Sequence, residues 1–405
     1  MQYFDFFCVS PVCKKSTMKK AVSLTLCILF FLAVGKPAVG LDIQPIDAKC
    51  NQYTLSCRID EDSLHITGKC TFLYDKDFQE NNFLLLSEAI HIQSLDISDY
   101  QRIGDTIAFS YHPSQITFCY SIALADYRTA DGAIVLRREG NWYPHRNGEL
   151  LTAEVHLNAD GYYMIGGSES QPSYELHIIL LPKEKYERRA EMNAVRPFFF
   201  YHLKEDTIAH PEAFCREFIE SYNFYSTFFG DTLSLLPMEI VEIGDPQFVM
   251  CQSLRDMIIF GPWFLQVYNM MPDFSWVPHE VAHQWWGNSI FFEHRDYALS
   301  ESLTEYIKLQ FLKSRRRGYD EQMEYYQTVS DNATERQSIA DIRNVEGQDA
   351  SIAIYHTAPL QLEKTEGFDA PSLLKKLYQN RKGTLVSREV FLQECGDLRE
   401  WLYEK

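Results

Sequence analysis

The stretch HEVAHQWWGN, residues 279–288, carries the most specific pattern in the chain, H-E-x-x-H. Side chains four residues apart on a helix lie one turn apart on the same face, so His279 and His283 could offer two imidazole nitrogens to one metal ion. Glu280 projects beside that face, within reach of a metal-bound water. Zinc lowers the pKa of such a water to about 7, and a neighbouring carboxylate can then take its proton. The pattern predicts the metal-binding helix of a metallopeptidase.

A chance match is the alternative interpretation of these five residues. The chain has 12 His in 405 residues, and a random H-E-x-x-H is expected in roughly one such chain in forty. The competing structure is a helix with two histidines and no metal. The flanking sequence therefore has to distinguish between the two interpretations.

The residues that follow the motif offer a third ligand, which a catalytic zinc needs beside one open coordination position. Residues 296–306, DYALSESLTEY, predict the start of a second helix with Ser300 as its N-cap. Apolar side chains then recur at helical spacing, and the run RRRG at 315–318 is typical of a helix end. Glu301 and Glu305 lie one turn apart on this helix, so either carboxylate could turn towards the metal.

The zinc motif and the segment after it together resemble the gluzincins, the zinc peptidases of the aminopeptidase N and leukotriene hydrolase family. That family has H-E-x-x-H, eighteen residues and then a glutamate, with Gly-Asn after the helix and D-x-x-L-x-E around the last ligand. This chain has Gly287-Asn288 and matches D-x-x-L-x-E at 296–301. Seventeen residues separate His283 from Glu301, and the missing residue falls between Asn288 and Asp296, in a predicted loop.

The resemblance implies that one zinc ion is held by three side chains, His279, His283 and Glu301. Glu280 would activate the attacking water and later protonate the leaving amine. Glu305 would then be a helix-surface residue or would support a histidine from behind, and Asp296 is a second candidate for that support.

A tyrosine further along the chain extends the resemblance. Tyr355 lies 72 positions after His283, about where the family has a catalytic tyrosine in a Tyr-Glu-Lys-Gly-Ala context. By resemblance, its hydroxyl would donate a hydrogen bond to the oxyanion of the tetrahedral intermediate. The chain departs from the family at residues 356–359, HTAP. The alternative is that Tyr355 is a partly buried aromatic without a catalytic role.

One element of the family pattern is missing. Its exopeptidase members carry Gly-x-Met-Glu-Asn on an edge strand, and that glutamate binds the free amino group of the substrate. The equivalent predicted strand, residues 248–260, places Ser253 near the glutamate position, and the nearest carboxylate is Asp256. A desolvated ammonium needs a carboxylate partner, which a serine cannot supply. Ser253 is thus the candidate substrate-binding residue, in a site whose amino-terminal clamp is altered.

Composition limits the possible partners. With 405 residues, 46% of them hydrophobic, the chain can form two or three domains. Its formal net charge of −18 argues against nucleic acid and anionic membrane surfaces. Peptides or proteins remain as the expected substrates.

The N-terminal 40 residues read as an upstream extension followed by a signal peptide. A positive start at Lys19 and Lys20 precedes an apolar run of fifteen residues, 21–35, which is short for a membrane span of about 20 residues. The mature chain is expected to start near Leu41 and to be exported, periplasmic or extracellular. The alternative is an uncleaved membrane anchor; without it, no membrane span is expected.

The cysteine count suggests at least one free thiol. Of the ten cysteines, seven follow residue 41, which is an odd number for an exported chain. Cys50, Cys57 and Cys70 are close in sequence and could include one disulfide. Packing as small apolar side chains is the other interpretation of Cys57 and Cys70.

The order of predicted elements gives an α+β multidomain protein. Residues 41–190 alternate as short strands, beginning with a hairpin whose turn is at 60–63, and predict a β-sandwich. Residues 191–405 predict a thermolysin-like catalytic domain with a helix at 211–229 and a strand at 239–243. Further helices are expected at 319–345 and 389–402.

Two hypotheses of function follow. The first is an exported zinc metallopeptidase that hydrolyses peptide bonds and resembles an aminopeptidase. The second is a catalytically retired peptidase scaffold that acts as an exported peptide-binding or protein-binding module. Its motives are the altered clamp, the shortened spacing before Glu301 and the expected lack of the helical C-terminal domain that larger members of the family have, either in a short form of the family or in a truncated chain.

Overall fold

A computed structural model describes residues 50–404 except 61, 73–82, 111–112, 147–148, 168, 193, 206, 209–210, 234–235, 246–247, 249–250, 271–275, 294–295, 317, 343–346 and 366–368. The predicted extension, signal peptide and anchor in residues 1–40 lie outside this part. Among the helices described, none combines the length and the apolar character that crossing a membrane requires.

The N-terminal part is built around a hairpin of β1, Asn51–Asp60, and β2, Ser63–Thr71. Alternate side chains of β1 are buried, as the period-2 pattern in the sequence predicts. The hairpin lies at the centre of a six-stranded sheet, where β1 pairs parallel with Leu151–Asn158 and β2 pairs antiparallel with Gln115–Ala123. Cys57 and Cys70 are free thiols that pack in its core.

The other strands of this part are short, and most pair antiparallel. They are β3 Phe83–Leu85, β4 His91–Leu95, β5 Gln101–Ile103, β6 Thr106–Ala108, β7 Gln115–Ala123, β8 Ile134–Leu136, β9 Leu151–Asn158, β10 Tyr162–Gly166, β11 Glu169–Ser173 and β12 Ile178–Pro182. Two three-stranded sheets, β10-β12-β8 and β3-β6-β5, accompany the large sheet.

A five-stranded sheet opens the second part. Its strands are β13 Tyr186–Glu191, β14 Phe198–Leu203, β15 Met238–Glu242, β16 Cys251–Leu254 and β17 Met257–Phe260. They lie in the order β13-β14-β15-β17-β16. The sequence predicted one edge strand at 248–260, but the chain forms the antiparallel hairpin β16-β17 there. The hairpin turns at Arg255 and Asp256, and Asp256 has a positive φ of 56°.

Helices occupy most of the rest of the chain. They are Pro211–Phe229, Pro262–Met270, Val277–Ala282, Tyr297–Arg315, Tyr319–Asp331, Gln348–Ile352, Ala358–Lys364, Ala370–Arg381, Arg388–Glu394 and Arg399–Tyr403, with a π-helical turn at Ala353–Thr357. Short 3-10 helices lie at Leu124–Tyr127, Arg138–Gly140 and Gly396–Leu398. The two-residue strands β18 Phe291–Phe292 and β19 Leu385–Val386 pair parallel.

Two helix predictions were too long. The predicted helix at 319–345 ends at Asp331, after which the chain forms turns. The predicted terminal helix at 389–402 is two helices, because the chain leaves the helical conformation at Cys395 and forms a 3-10 turn at Gly396–Leu398. The apolar side chains Phe391, Leu398 and Trp401 are nevertheless buried, as the spacing predicted.

The hydrophobic cores follow the two parts of the chain. One core lies within residues 53–180 and the largest within 198–402, while a smaller cluster joins β12 to the five-stranded sheet through residues such as Ile179 and Ile259. The α+β fold class is therefore confirmed. The division at residue 190 stays a prediction. The pairing of β13 with β14 places Tyr186–Glu191 in the five-stranded sheet of the second part.

The packing around Gly68, on strand β2 of the hairpin, can be tested. Gly68 lies where the ring of Phe118 and the side chain of Leu55 occupy the space that a Cβ would need. We expect Gly68→Ala to lower the free energy of unfolding by about 1–3 kcal/mol through overpacking. Urea denaturation measures the change. Gly161→Ala is the matched control, because open space surrounds Gly161, and an equal loss in both variants would contradict the packing argument.

Candidate metal centre

The helix Val277–Ala282 carries the first half of the H-E-x-x-H motif, and His283 follows as its C-cap. Pro278 lies in its first turn, where the missing N–H costs nothing. The Tyr225 hydroxyl donates to the Pro278 carbonyl at 2.9 Å and ties this helix to Pro211–Phe229. Trp285 and Trp286 are fully buried and anchor the segment that follows.

Gly287 allows the chain to turn beside the motif. Its φ is 120°, and a Cβ there would lie 3.2 Å from Nδ1 of His283. A side chain at this position would both strain the backbone and push against the imidazole. The glycine of the Gly-Asn pair thus has a structural reason.

Three donor side chains converge at one point. Nε2 of His279 lies 3.1 Å from Nε2 of His283. Oε2 of Glu301 lies 3.3 Å from the first nitrogen, and its Oε1 lies 3.5 Å from the second. Ligand atoms at about 2.0–2.2 Å in a tetrahedral zinc site are separated by about 3.3–3.6 Å. The donor set therefore fits the spacing and the chemistry of a zinc site with an open position.

Glu301 reaches the histidines from the helix Tyr297–Arg315. This helix begins earlier than the sequence predicted, so that Ser300 lies in its first turn and Asp296 occupies the N-cap position. The spacing of seventeen residues does not prevent the approach of Glu301. At its other end, Arg316 adopts the left-handed conformation at the C-cap, close to the predicted helix end.

Glu305 lies on the opposite side of His279 from Glu301. Nδ1 of His279 donates to Oε2 of Glu305 at 2.6 Å, which leaves Nε2 directed at the other donors. His283 is oriented in the same way, because its Nδ1 donates to the Trp286 carbonyl at 3.0 Å. Hydrogen bonds of this kind fix the tautomer and the ring orientation of metal-binding histidines. The two glutamates therefore occupy different places instead of competing for one.

Asp296 has a different partner from the one the sequence suggested. It is fully buried and accepts hydrogen bonds from Nε of Arg388 at 2.9 Å and from the Arg388 backbone N–H at 3.2 Å, and it forms an ion pair with the guanidinium at 2.8 Å. The predicted support of a histidine is thus replaced by a buried ion pair at the start of the helix. The reason is that the Arg388–Glu394 helix brings its own cation to this carboxylate.

Buried carboxylates give the centre its electrostatic character. Burial raises the pKa of Glu280, and the neighbouring histidines oppose that effect. Burial alone would lower the pKa of His279, but its hydrogen bonds with Glu301 and Glu305 raise it to about 10. Three carboxylates around two histidines thus favour a bound cation, and a metal ion would displace the histidine proton.

Tyr355 lies beside the converging side chains of His279, His283 and Glu301, on the π-helical turn Ala353–Thr357. Its hydroxyl donates to Oε2 of Glu301 at 3.1 Å. The hydroxyl of Tyr297 lies 3.2 Å from that of Tyr355. Tyr297 belongs to none of the sequence motifs, although it precedes Glu301 by four residues and so shares the same helix face.

Ser253 contacts the zinc-motif segment. Its hydroxyl accepts hydrogen bonds from Gln284 at 2.8 Å and from Asn288 at 3.2 Å. The nearby carboxylate of Asp256 binds Arg196 at 2.7 Å. The hydroxyl therefore fixes the edge hairpin to the segment after His283, and its contact with substrate remains a prediction.

Comparison with known proteins gives matches of structure alone. No family model and no curated protein sequence matches the chain. Yeast LTA4 hydrolase superposes with a TM-score of 0.62 at 13% identity, over 87% of this chain and 67% of that one. An M1 zinc metallopeptidase from Deinococcus radiodurans gives 0.62 at 14%, over 88% and 94%. Legionella pneumophila aminopeptidase A, in complex with aspartic acid, gives 0.67 at 13%, over 90% of this chain and 50% of that one.

These matches extend from the strands of the N-terminal part to the helices of the candidate centre, since they cover most of the described chain. At identities of 13–14% they show the fold. The chain thus has the fold of the gluzincin peptidases, the aminopeptidase N and leukotriene hydrolase family.

Proposed function

We propose that this protein is an exported, zinc-dependent metallopeptidase that hydrolyses peptide bonds in the manner of an aminopeptidase. The observation that carries the proposal is the convergence of two imidazole nitrogens and one carboxylate within 3.1–3.5 Å, beside the buried Glu280. Peptides are supported as substrates by a structure with this fold, an M1 zinc metallopeptidase variant from Deinococcus radiodurans bound to a Tyr-Ser-Ala substrate. Export rests on the sequence of residues 18–40.

Three side chains would hold one zinc ion, namely His279, His283 and Glu301. When bound, zinc polarises the scissile carbonyl and lowers the pKa of a water molecule. Two neutral imidazoles and one carboxylate leave a net positive charge at the metal, which suits both effects. The hydrogen bonds from Nδ1 of each histidine keep Nε2 free for this purpose.

Glu280 would move the proton. Its carboxylate takes the proton from the attacking water and delivers it to the nitrogen of the leaving amine, so that the peptide bond breaks with balanced protons. Burial raises the pKa of this carboxyl. A buried carboxylate is a stronger base than an exposed one, and the same burial keeps the transferred proton away from bulk solvent.

Tyr355 would stabilise the developing negative charge on the substrate oxygen. Its hydroxyl lies beside Glu301 and can turn from that carboxylate to the oxyanion. Tyr297 would hold the hydroxyl of Tyr355 in place, since the two oxygens are 3.2 Å apart.

The alternative function is a retired scaffold that binds peptides or proteins without cleaving them. The observation in its favour is the state of the clamp position, where the Ser253 hydroxyl is already bound by Gln284 and Asn288. Zinc content does not separate the two functions, because an inactive site can still hold a metal. Turnover does separate them.

Glu280→Gln tests the proposed base. We expect zinc-loaded wild-type protein to cleave a mixed set of peptides and the variant to lose about 10²–10⁴ in kcat, with its zinc retained. Mass spectrometry of the products measures cleavage, and metal analysis measures zinc. Full-rate hydrolysis by the variant contradicts the mechanism; zinc-loaded wild-type protein that cleaves nothing supports the retired scaffold.

Ser253→Glu tests the altered clamp. The new carboxylate should bind the substrate ammonium, and a charge-assisted hydrogen bond contributes about 1.5–3 kcal/mol. We therefore expect the ratio of kcat/KM for free over amino-terminally acetylated peptides to rise about tenfold or more. Ser253→Gln is the control of equal size without charge. An unchanged ratio in Ser253→Glu means that the substrate amino group does not lie near this strand.

A double-mutant cycle tests the tyrosine pair. Tyr355→Phe should lower kcat about 10²–10³-fold through the lost oxyanion donor. Tyr297→Phe should cost about tenfold in the wild-type background and nothing further when Tyr355 is already Phe. Equal losses from Tyr297→Phe in both backgrounds would show that the two hydroxyls act separately.

A further inference from the structure

We infer that Lys308 and Tyr326 are positioning residues for the metal: they hold the carboxylate of Glu305 against His279 and so set the zinc affinity without touching the metal. The inference rests on the proposed zinc site. It concerns a buried group behind the ligands that the proposed reaction itself does not use.

The two oxygens of Glu305 have separate partners. Oε2 accepts the hydrogen bond from Nδ1 of His279 at 2.6 Å. Oε1 accepts from the Lys308 ammonium at 2.7 Å and from the Tyr326 hydroxyl. Because Oε1 is held by two donors, the carboxylate cannot rotate away from the imidazole without breaking both contacts.

Glu305, Lys308 and Tyr326, the Glu305 group, come from two helices and are shielded from water. Glu305 and Lys308 are one turn apart on Tyr297–Arg315, and their side chains are 6% and 2% exposed. Tyr326 comes from the next helix, Tyr319–Asp331, and its ring lies 5.9 Å from the Lys308 nitrogen. The ring of His356, the residue after Tyr355, packs edge-on against Tyr326 at 5.4 Å. The Glu305 carboxylate is therefore fixed by surroundings that also contact the helix turn of Tyr355.

Stability is a weak explanation for this ion pair. Removing a lysine and a glutamate from water costs free energy that their attraction often fails to recover, and apolar residues of similar volume can be as stable. A fixed carboxylate behind a metal-binding histidine, in contrast, orients the ring and makes the nitrogen that faces the metal more basic. Loss of such a partner typically weakens metal binding by about 10–100-fold.

A second set of lysine, tyrosine and glutamate serves as a control, and its lysine lies on the same helix, Tyr297–Arg315. The Lys313 ammonium and the Tyr319 hydroxyl both donate to Oε1 of Glu363, each at 2.6 Å. The other oxygen of Glu363 binds the Gln310 amide at 2.8 Å in place of a histidine. The two groups thus share lysine, tyrosine and glutamate, and only the Glu305 group ends on a candidate zinc ligand.

The experiment compares zinc dissociation constants, measured by competition with a chromogenic chelator, in Lys308→Met, Tyr326→Phe, Lys313→Met and Tyr319→Phe. We expect the first two variants to bind zinc about tenfold more weakly and the two controls to stay within about twofold of wild type. Urea denaturation of the metal-free proteins gives the stability of each variant. Unchanged zinc affinity in both Lys308→Met and Tyr326→Phe overturns the inference.

A double variant separates positioning from simple charge balance. Glu305→Gln with Lys308→Met removes both charges, and we expect it to regain the stability that Lys308→Met loses while its zinc affinity remains weak. Recovery of wild-type zinc affinity in the double variant overturns the inference, because Lys308 would then only neutralise a buried charge. Should Lys308→Met fail to fold, Tyr326→Phe, which removes one oxygen atom, carries the test.

The readout does not depend on turnover, so the two proposals can fail separately. Wild-type protein that binds zinc and cleaves peptides, with variants of unchanged affinity, overturns the inference and leaves the peptidase proposal in place. Wild-type protein that binds zinc but cleaves nothing overturns the peptidase proposal, and the variants still decide the inference. Wild-type protein that binds no zinc overturns both.

Discussion

The approach of Glu301 to the two histidines is the contact on which the rest of the site depends. His279 and His283 are placed by one short helix, but the carboxylate comes from a separate helix, Tyr297–Arg315. The core between the helices keeps these donors within 3.5 Å of one another. The core does so with fully buried apolar side chains on both segments, including Val281, Trp285, Leu299 and Leu303. A close-packed interior permits little adjustment, so a small shift of either helix would separate the donors.

Charge is the second constraint on this arrangement. Glu280, Glu301 and Glu305 are all less than a tenth exposed, and each has a different environment. Burial raises the pKa of Glu280, whereas for Glu305 the effect of burial is outweighed by Lys308 and His279, which hold its pKa well below the usual range. Carboxylates of one residue type thus acquire different properties from their neighbours alone. The three proposed roles, metal ligand for Glu301, proton carrier for Glu280 and support of His279 for Glu305, need such differences.

The sequence predicted those parts of the site that depend on local spacing. H-E-x-x-H lies on one helix and its C-cap, and the β1-β2 hairpin consists of two neighbouring strands, so both follow from local patterns; the structure forms both and brings Glu301 from the helix Tyr297–Arg315 beside the two histidines. Tyr326, Lys308 and Tyr297 were missed because their roles arise from contacts between helices. The sequence pattern also did not predict that helices end at Asp331 and Glu394, because the apolar spacing continues past the turns that follow them. The partner of Asp296 could not be predicted, since Arg388 is 92 residues away.

The residues of the candidate site lie in two kinds of structure. His279, His283 and Glu301, the proposed metal ligands, lie on or at the end of buried helices, where each side chain is fixed by several others. Ser253 lies on β16, the edge strand of the five-stranded sheet, and is partly exposed. One of the donors to its hydroxyl, Asn288, is itself partly exposed, whereas a change at Glu301 or Glu305 would leave buried groups without partners. A serine at the predicted clamp position is therefore compatible with the proposed hydrolytic centre, and we expect it to affect how a substrate is held more than whether a bond is cleaved.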